Sequence, residues 1–197
     1  MLLLLVLFIN SVAGESETAP YQVLKEHDGW EEREFPTTKW ISTKVVSKEG
    51  VQDSPEHSKA FRKLFNYIDG QNSQGLKIPM TTPVTEKIFL SDSGSNFTMS
   101  FYIPSNLQNN PPLPKDSTVF IEERAANKHV HWSKVVSKRF GGRPDDAEYS
   151  IQAEELYLLA VRAGLDVSII PRWTAGYDAP DVVNNRRNEV WLQIRSS

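Results

Sequence analysis

The sequence predicts an α+β fold made of two like halves: a pseudo-two-fold, duplicated antiparallel sheet curling into a distorted β-barrel, with two amphipathic helices. Three observations carry this reading. "EEREFPTTKWISTKVVSKEG" from Glu31 and "EERAANKHVHWSKVVSKRFGG" from Glu122 both open on Glu-Glu-Arg and both reach Lys-Val-Val-Ser-Lys. Glu31 to Glu122 is an offset of 91 and Lys44 to Lys134 an offset of 90, the difference a loop makes by losing one residue. Around each copy the elements run strand–strand–helix–strand–strand, so each helix can cover its own part of the sheet. Two such halves can share strand edges and close, leaving few edges open to aggregation.

The elements follow in order. Tyr21–Phe35 mixes apolar and charged residues as an exposed edge pair of strands does, and "KWISTKVVS" (Lys39–Ser47) is rich in strand formers. In "DSPEHSKAFRKLFNYIDG", Ser54 can cap a helix, Pro55 suits its first position, Glu56 complements its dipole and Gly70 ends it. Its apolar stripe is Phe61, Leu64, Phe65 and Ile68, at helical spacing, and is read mainly as core. "GLKIPMTTPVTEKIFL" and "NFTMSFYIP" are strands joined by the turn-rich "SDSGS". "PSNLQNNPPLPKDS" is a stiff, proline-rich connector between halves of about 21–104 and 118–194; its Pro111–Pro114 spacing is read as connector rather than as a polyproline ligand. The second half repeats the order. "TVFIEERAA" and "HVHWSKVVSKRFGG" are strands, and the helix "RPDDAEYSIQAEELYLLAVRAG" has its cap at Asp145-Asp146, Gly164 at its end and the stripe Tyr149, Ala153, Leu156, Ala160 and Ala163. "DVSIIPRWTAGYD" and "NEVWLQIR" are the closing strands.

Composition narrows the function. A chain of 197 residues with 39% apolar content and 5 Trp can build one core. A net charge of −3 argues against nucleic acid, and the basic runs Lys134–Arg139 and Arg186-Arg187 read as solvated positions. "MLLLLVLFI" is too short to span a bilayer but has the length of a signal-peptide core; residues 1–14 are read as a signal peptide cleaved before Glu15, and 15–20 as a polar lead. The chain is therefore expected to be secreted. It contains no Cys, so thiol catalysis, thiolate metal sites and disulfide staples are excluded, and stability must come from burial.

Chemical motifs are sparse. The sequence holds no nucleophile elbow, zinc-protease helix, P-loop or dinucleotide fingerprint, and no enzyme is expected. His129 and His131 share a strand face but lack a third ligand nearby, so no metal site is expected. His57 lies one helical turn before Phe61 and can approach a ligand there, while His27 is read as exposed. Asn96-Phe97-Thr98 is an N-glycosylation sequon on a hairpin.

Taken together, "KIPMTTPVT" (Lys77–Thr85), "FYIP" (Phe101–Pro104), "PPLP" (Pro111–Pro114), "FGG" (Phe140–Gly142), "AGYDAP" (Ala175–Pro180) and "RRNEVW" (Arg186–Trp191) resemble the SOUL haem-binding protein family. "WEEREF" and "AFRKLFNYIDGQN" add to the likeness, which covers residues 21–194 as one domain. The resemblance implies a pseudo-symmetric α+β barrel, similar to bacterial multidrug-sensing effector domains. It implies non-enzymatic binding of haem or a related tetrapyrrole along the first helix and adjoining loops. A porphyrin needs an apolar platform and cations for its propionates. The candidates for the platform are Phe61, Leu64, Phe65 and Met80; the cationic candidates are Lys59, Arg62, Arg186 and Arg187. The chain departs from the family where some members carry a proposed iron-ligating His, here Glu34, and where another places an Arg and a Lys by the propionates, here Ser58 and Val182. The expected function is an extracellular carrier or scavenger of tetrapyrrole. The alternatives are a secreted interaction or structural protein that keeps the fold without the groove, or a binder of another flat apolar molecule.

Overall fold

A computed structural model describes residues 16–195 apart from 49, 53, 92–93 and 126–132. The proposed signal peptide and the pair His129 and His131 lie outside the described residues. The strands are β1 (Gln22–His27), β2 (Trp30–Glu34), β3 (Thr38–Ser47), β4 (Val84–Ser91), β5 (Gly94–Tyr102), β6 (Val119–Arg124), β7 (Lys134–Phe140), β8 (Val167–Gly176) and β9 (Asn188–Ile194), with helices α1 (Pro55–Ile68) and α2 (Asp146–Arg162). They form one sheet in the order β1-β2-β7-β9-β8-β4-β5-β3-β6, with every pairing antiparallel.

That order is a palindrome about the β4–β8 seam once β1 is set aside. Each half contributes a three-stranded block, β4-β5-β3 or β8-β9-β7, and lends its leading strand to the other half: β2 pairs with β7 and β6 with β3. The duplicated Glu-Glu-Arg is therefore the exchanged strand in each half. The expected closure is not made by hydrogen bonds: β1 and β6 stand at the two ends of the ladder. The reason is the extra strand. β1 folds back on β2 through the Asp28-Gly29 turn and occupies the edge that β6 would need.

Strand alternation sorts the core into layers. On β9, Val190 and Leu192 join the cluster under α2, whereas Trp191 turns to the other face, with Phe35, Val135 and Trp173. On the first half, Ile41, Phe97, Met99 and Phe101 meet Ala60, Leu64, Tyr67 and Ile68 of α1. Both helix starts are as the sequence predicts: Ser54 Oγ accepts from the His57 N–H at 3.1 Å, and Asp145 Oδ1 from the Glu148 N–H at 2.8 Å. Gly70 and Gly164 follow the helices at positive φ, 105° and 85°. The stripe of α2 is buried at Tyr149, Ala153, Leu156 and Ala160, while Ala163 caps the helix and is exposed.

Two contacts outside the sheet fix the helices. The proline-rich connector is held on α1 by the Tyr67 hydroxyl, which donates to the Pro112 carbonyl at 2.8 Å. At the start of α2, Asp146 accepts from the Val51 N–H at 2.8 Å, tying the loop before α1 to the other half. Gly50, at φ 98°, lies so close to this carboxylate that a Cβ there would stand 2.4 Å from it. Among the described residues no helix is long and apolar enough to cross a membrane.

Candidate functional site

Where the two halves meet, a cleft of about 730 Å³ opens over the β4–β8 seam, between α1 and the segments around α2 and the β8–β9 loop. Its first wall follows from the α1 register. With Leu64 and Ile68 turned to the sheet, Ser58, Phe61, Arg62 and Phe65 come round to the open side. The Phe61 and Phe65 rings lie nearly parallel, 17° apart with centroids at 6.3 Å, and Phe61 is braced edge-on by Phe101 at 5.2 Å. Phe65 remains 45% exposed.

The floor is Val84 and Glu86 of β4 with Gly176 and Asn188. Glu86 is a carboxylate on the helix-facing side of its strand, only 5% exposed. It is held on both oxygens: His57 Nε2 lies 3.1 Å from Oε1, and the Thr174 hydroxyl donates to Oε2.

Arg143, Pro144, Tyr149, Asp178, Pro180 and Arg186 make the far wall. Arg143 donates to the Pro180 carbonyl at 2.6 Å. Arg186 donates to the carbonyls of Ala179 at 2.7 Å and Val182 at 3.0 Å, while its buried Nε has no partner among the described residues. Asp178 is engaged by the Arg187 backbone N–H at 2.5 Å. Among the described residues, Arg62, Arg143 and Arg186 form no ion pair with a carboxylate, so three guanidinium charges line the cleft beside Glu86 and Asp178, whose carboxylates are held by other donors. The Tyr149 hydroxyl makes no hydrogen bond among the described residues. Burial, then the nearby Glu86 charge, pushes its pKa up, so it stays a neutral donor.

Of the residues expected from the sequence, the cleft brings together Phe61, Arg62, Phe65 and Arg186, with His57 and Ser58 beside them. Leu64 is fully buried under the helix, and Met80 packs half-buried against the same core. Lys59 points to solvent, pairing with Glu56 at 3.6 Å. Arg187 turns away to Glu189 at 2.7 Å and stacks over the Tyr177 ring at 3.8 Å. Val182 contributes only its carbonyl, and Glu34 sits on β2 opposite Lys134, outside the cleft. His27, expected to be exposed, is instead half-buried, stacked on Trp30 at 3.6 Å and bonded to Glu32 at 2.9 Å.

Sequence reasoning missed Gln52, Glu86, Arg143, Tyr149 and Asn188. For Glu86 a signal exists: in "PVTEKIF" it shares the alternating face of Val84 and Ile88, where a carboxylate is out of place unless it lines a site. Arg143, Tyr149 and Asn188 arrive from the second half, Gln52 from the loop before α1, and none of the four carries a local mark.

The SOUL heme-binding protein family matches residues 16–193. Heme-binding protein 1 of Sus scrofa is 34% identical over 194 residues, covering 93% of this chain and 95% of that protein. Heme-binding protein 2 of Homo sapiens is 36% identical over 180 residues, covering 88% and 82%. A hydrolase from Listeria innocua superposes with a TM-score of 0.59 at 12% identity over 87% of this chain and 94% of its own, a likeness of fold alone. With nearly its whole length matched, this chain belongs to the SOUL heme-binding protein family.

Proposed function

We propose that the chain binds haem or a related tetrapyrrole in the cleft between its halves, without catalysing a reaction, and does so outside the cell as a carrier or scavenger. The observation that carries the binding is the union of a paired aromatic platform, Phe61 and Phe65, with guanidiniums that lack carboxylate partners among the described residues. A flat macrocycle would lie on the rings, and its propionates would be met by Arg62, Arg143 and Arg186 through charge-assisted hydrogen bonds. The cleft volume falls within the range of small-molecule sites. The names of the relatives support the ligand class. His57, tethered by Glu86, is the histidine among the lining residues, and haem would bring its own iron to that floor. Export rests on the hydrophobic run at residues 1–9 followed by small residues at Val12-Ala13-Gly14.

The test is a haemin titration followed at the Soret band. Saturable one-to-one binding is expected, weakened by Arg186→Ala and Phe65→Ala. A flat titration removes the proposal and leaves the second reading, a retained fold without haem, which Glu34, Ser58 and Val182 favour. Export is tested separately by expressing the full chain in secretory cells and sequencing the medium form, expected to begin at Glu15.

A further inference from the structure

On the sheet face away from α1, the register sets Val46, Asn96 and Phe89 side by side across β3, β5 and β4. All three are open to solvent, Val46 at 70% and Phe89 at 42%. The next row along, Lys44, Thr98 and Lys87, is polar, and Lys87 Nζ stands 5.4 Å from the Phe89 ring centroid. Asn96-Phe97-Thr98 is the chain's single Asn-x-Ser/Thr sequon. Strand alternation buries Phe97 to 2% while Asn96 and Thr98 share the outer face. The acceptor amide thus projects between two apolar side chains that remain open to solvent, Lys87 reaching only over the Phe89 ring.

We propose that Asn96 carries an N-linked glycan whose first sugars lie across Val46 and Phe89, covering the apolar strip at this end of the sheet. The inference rests on the export reading, because the sugar donor is a polyisoprenyl-diphosphate oligosaccharide of the secretory lumen. In the transfer, Asn96 Nδ2 bonds to the anomeric carbon of the first sugar. The bond from that carbon to the diphosphate oxygen breaks, the lipid diphosphate leaves, and the amide proton passes to the transferase. A bulky, hydrated glycan then keeps the strip from water and from other chains, and the hydrocarbon faces of its sugars meet the Phe89 ring.

To keep the two readings apart, residues 15–197 are expressed behind a heterologous secretory leader, beside the full chain with its own N-terminus. Peptide N-glycosidase should lower the mass of the led protein by one glycan, and Asn96→Gln and Thr98→Ala should each abolish that change. Hydroxyl-radical footprinting then reads the cover directly. Labelling of Phe89 and Val46 should rise several-fold on deglycosylation, while labelling of Phe65, exposed on the opposite side, stays constant. Absence of glycan on the led protein overturns the proposal, and so does a glycan that leaves Phe89 labelling unchanged. A glycosylated led protein beside a full chain retained in the cytosol upholds the site and removes only the export reading.

Discussion

The two halves repeat one motif and finish it differently. Arg33 and Arg124 are the matching arginines of the duplicated Glu-Glu-Arg, and both are buried, 3% and 4% exposed, on the face away from the helices. Arg33 meets Glu189, itself fully buried, through two bonds of 2.6 and 3.1 Å. Arg124 meets the hydroxyls of Ser100 at 2.7 Å and Thr85 at 3.2 Å, a partly exposed Glu122 at 3.1 Å, and the Trp40 ring at 4.2 Å. The pKa directions follow. Burial pulls both guanidiniums down; at Arg33 the hydrogen bond and charge of Glu189 outweigh it and raise the value, whereas at Arg124 burial outweighs Glu122. Duplication thus supplied the same arginine twice, and only the second half's last strand supplied an interior carboxylate to face one of them.

The largest effect that would break this comparison is Glu189→Gln. It keeps the volume and an acceptor but leaves buried Arg33 with only the partly exposed Glu31 as counter-charge, at a cost of about 3 kcal/mol. Glu122→Gln should cost roughly 1 kcal/mol or less, because that carboxylate is 30% exposed and screened. Urea unfolding of the two variants measures the difference; equal losses would mean that the two arginines are held alike.

The helices differ as the arginines do. α1 sends neighbouring stripe residues to opposite duties, while α2 covers its sheet with small side chains, Ala153 and Ala160, and gives the cleft only Tyr149. Leu64→Ala should cost about 2–5 kcal/mol by opening a cavity in a closed core. Phe65→Ala, one position on and 45% exposed, should cost less than about 1 kcal/mol yet weaken haemin binding. Paired unfolding and Soret titrations separate the two; loss of stability without loss of binding at Phe65 would return that ring to the core.

This pair also marks how far the sequence could be read. The repeat, both helix caps and the element order were legible because each depends on local spacing: Ser54 and Asp145 announce their helices before any packing exists. The stripe of α1 was legible as well, but a step of about 100° between residues does not say where the core ends and the rim begins. Leu64 and Phe65 fall on either side of that border, which is drawn by the neighbouring sheet. Arg143 and Tyr149 reach the site only when the second half folds against the first, so nothing around them in the chain announces a ligand. Closure was over-read for a similar reason: the repeat implied two exchanged strands, and only the added β1 decides that the ladder stays open.

Acid sharpens the arginine comparison further. Burial would raise the Glu189 pKa, but the hydrogen bond and charge of Arg33, then Arg187 and Trp191, bring it down from 4.5 to about 2. Because the folded value is the depressed one, this stabilisation is fully present above about pH 4.5 and is lost as pH falls toward 2. Linkage across that window gives roughly 3 kcal/mol. Glu189→Gln should flatten this acid limb of the stability curve, whereas Glu122→Gln should leave it in place.

Two tyrosines, one from each side of the sheet, carry the comparison down to its smallest effect. Tyr177 donates to Glu189 Oε2 at 3.0 Å inside the arginine network, so Tyr177→Phe should cost about 1.5–3 kcal/mol as a hydrogen bond to a charged group is lost. Tyr149 spends its hydroxyl on nothing among the described residues, and Tyr149→Phe should leave unfolding unchanged to within about 0.5 kcal/mol. If the cleft binds a tetrapyrrole, that hydroxyl becomes a donor to the ligand, and its removal should weaken haemin binding by about 1 kcal/mol, roughly fivefold. A Tyr149→Phe protein that binds haemin as the wild type does would confine ligand recognition to α1 and the arginines. One that unfolds more readily would instead place the hydroxyl among the structural bonds, as at Tyr177.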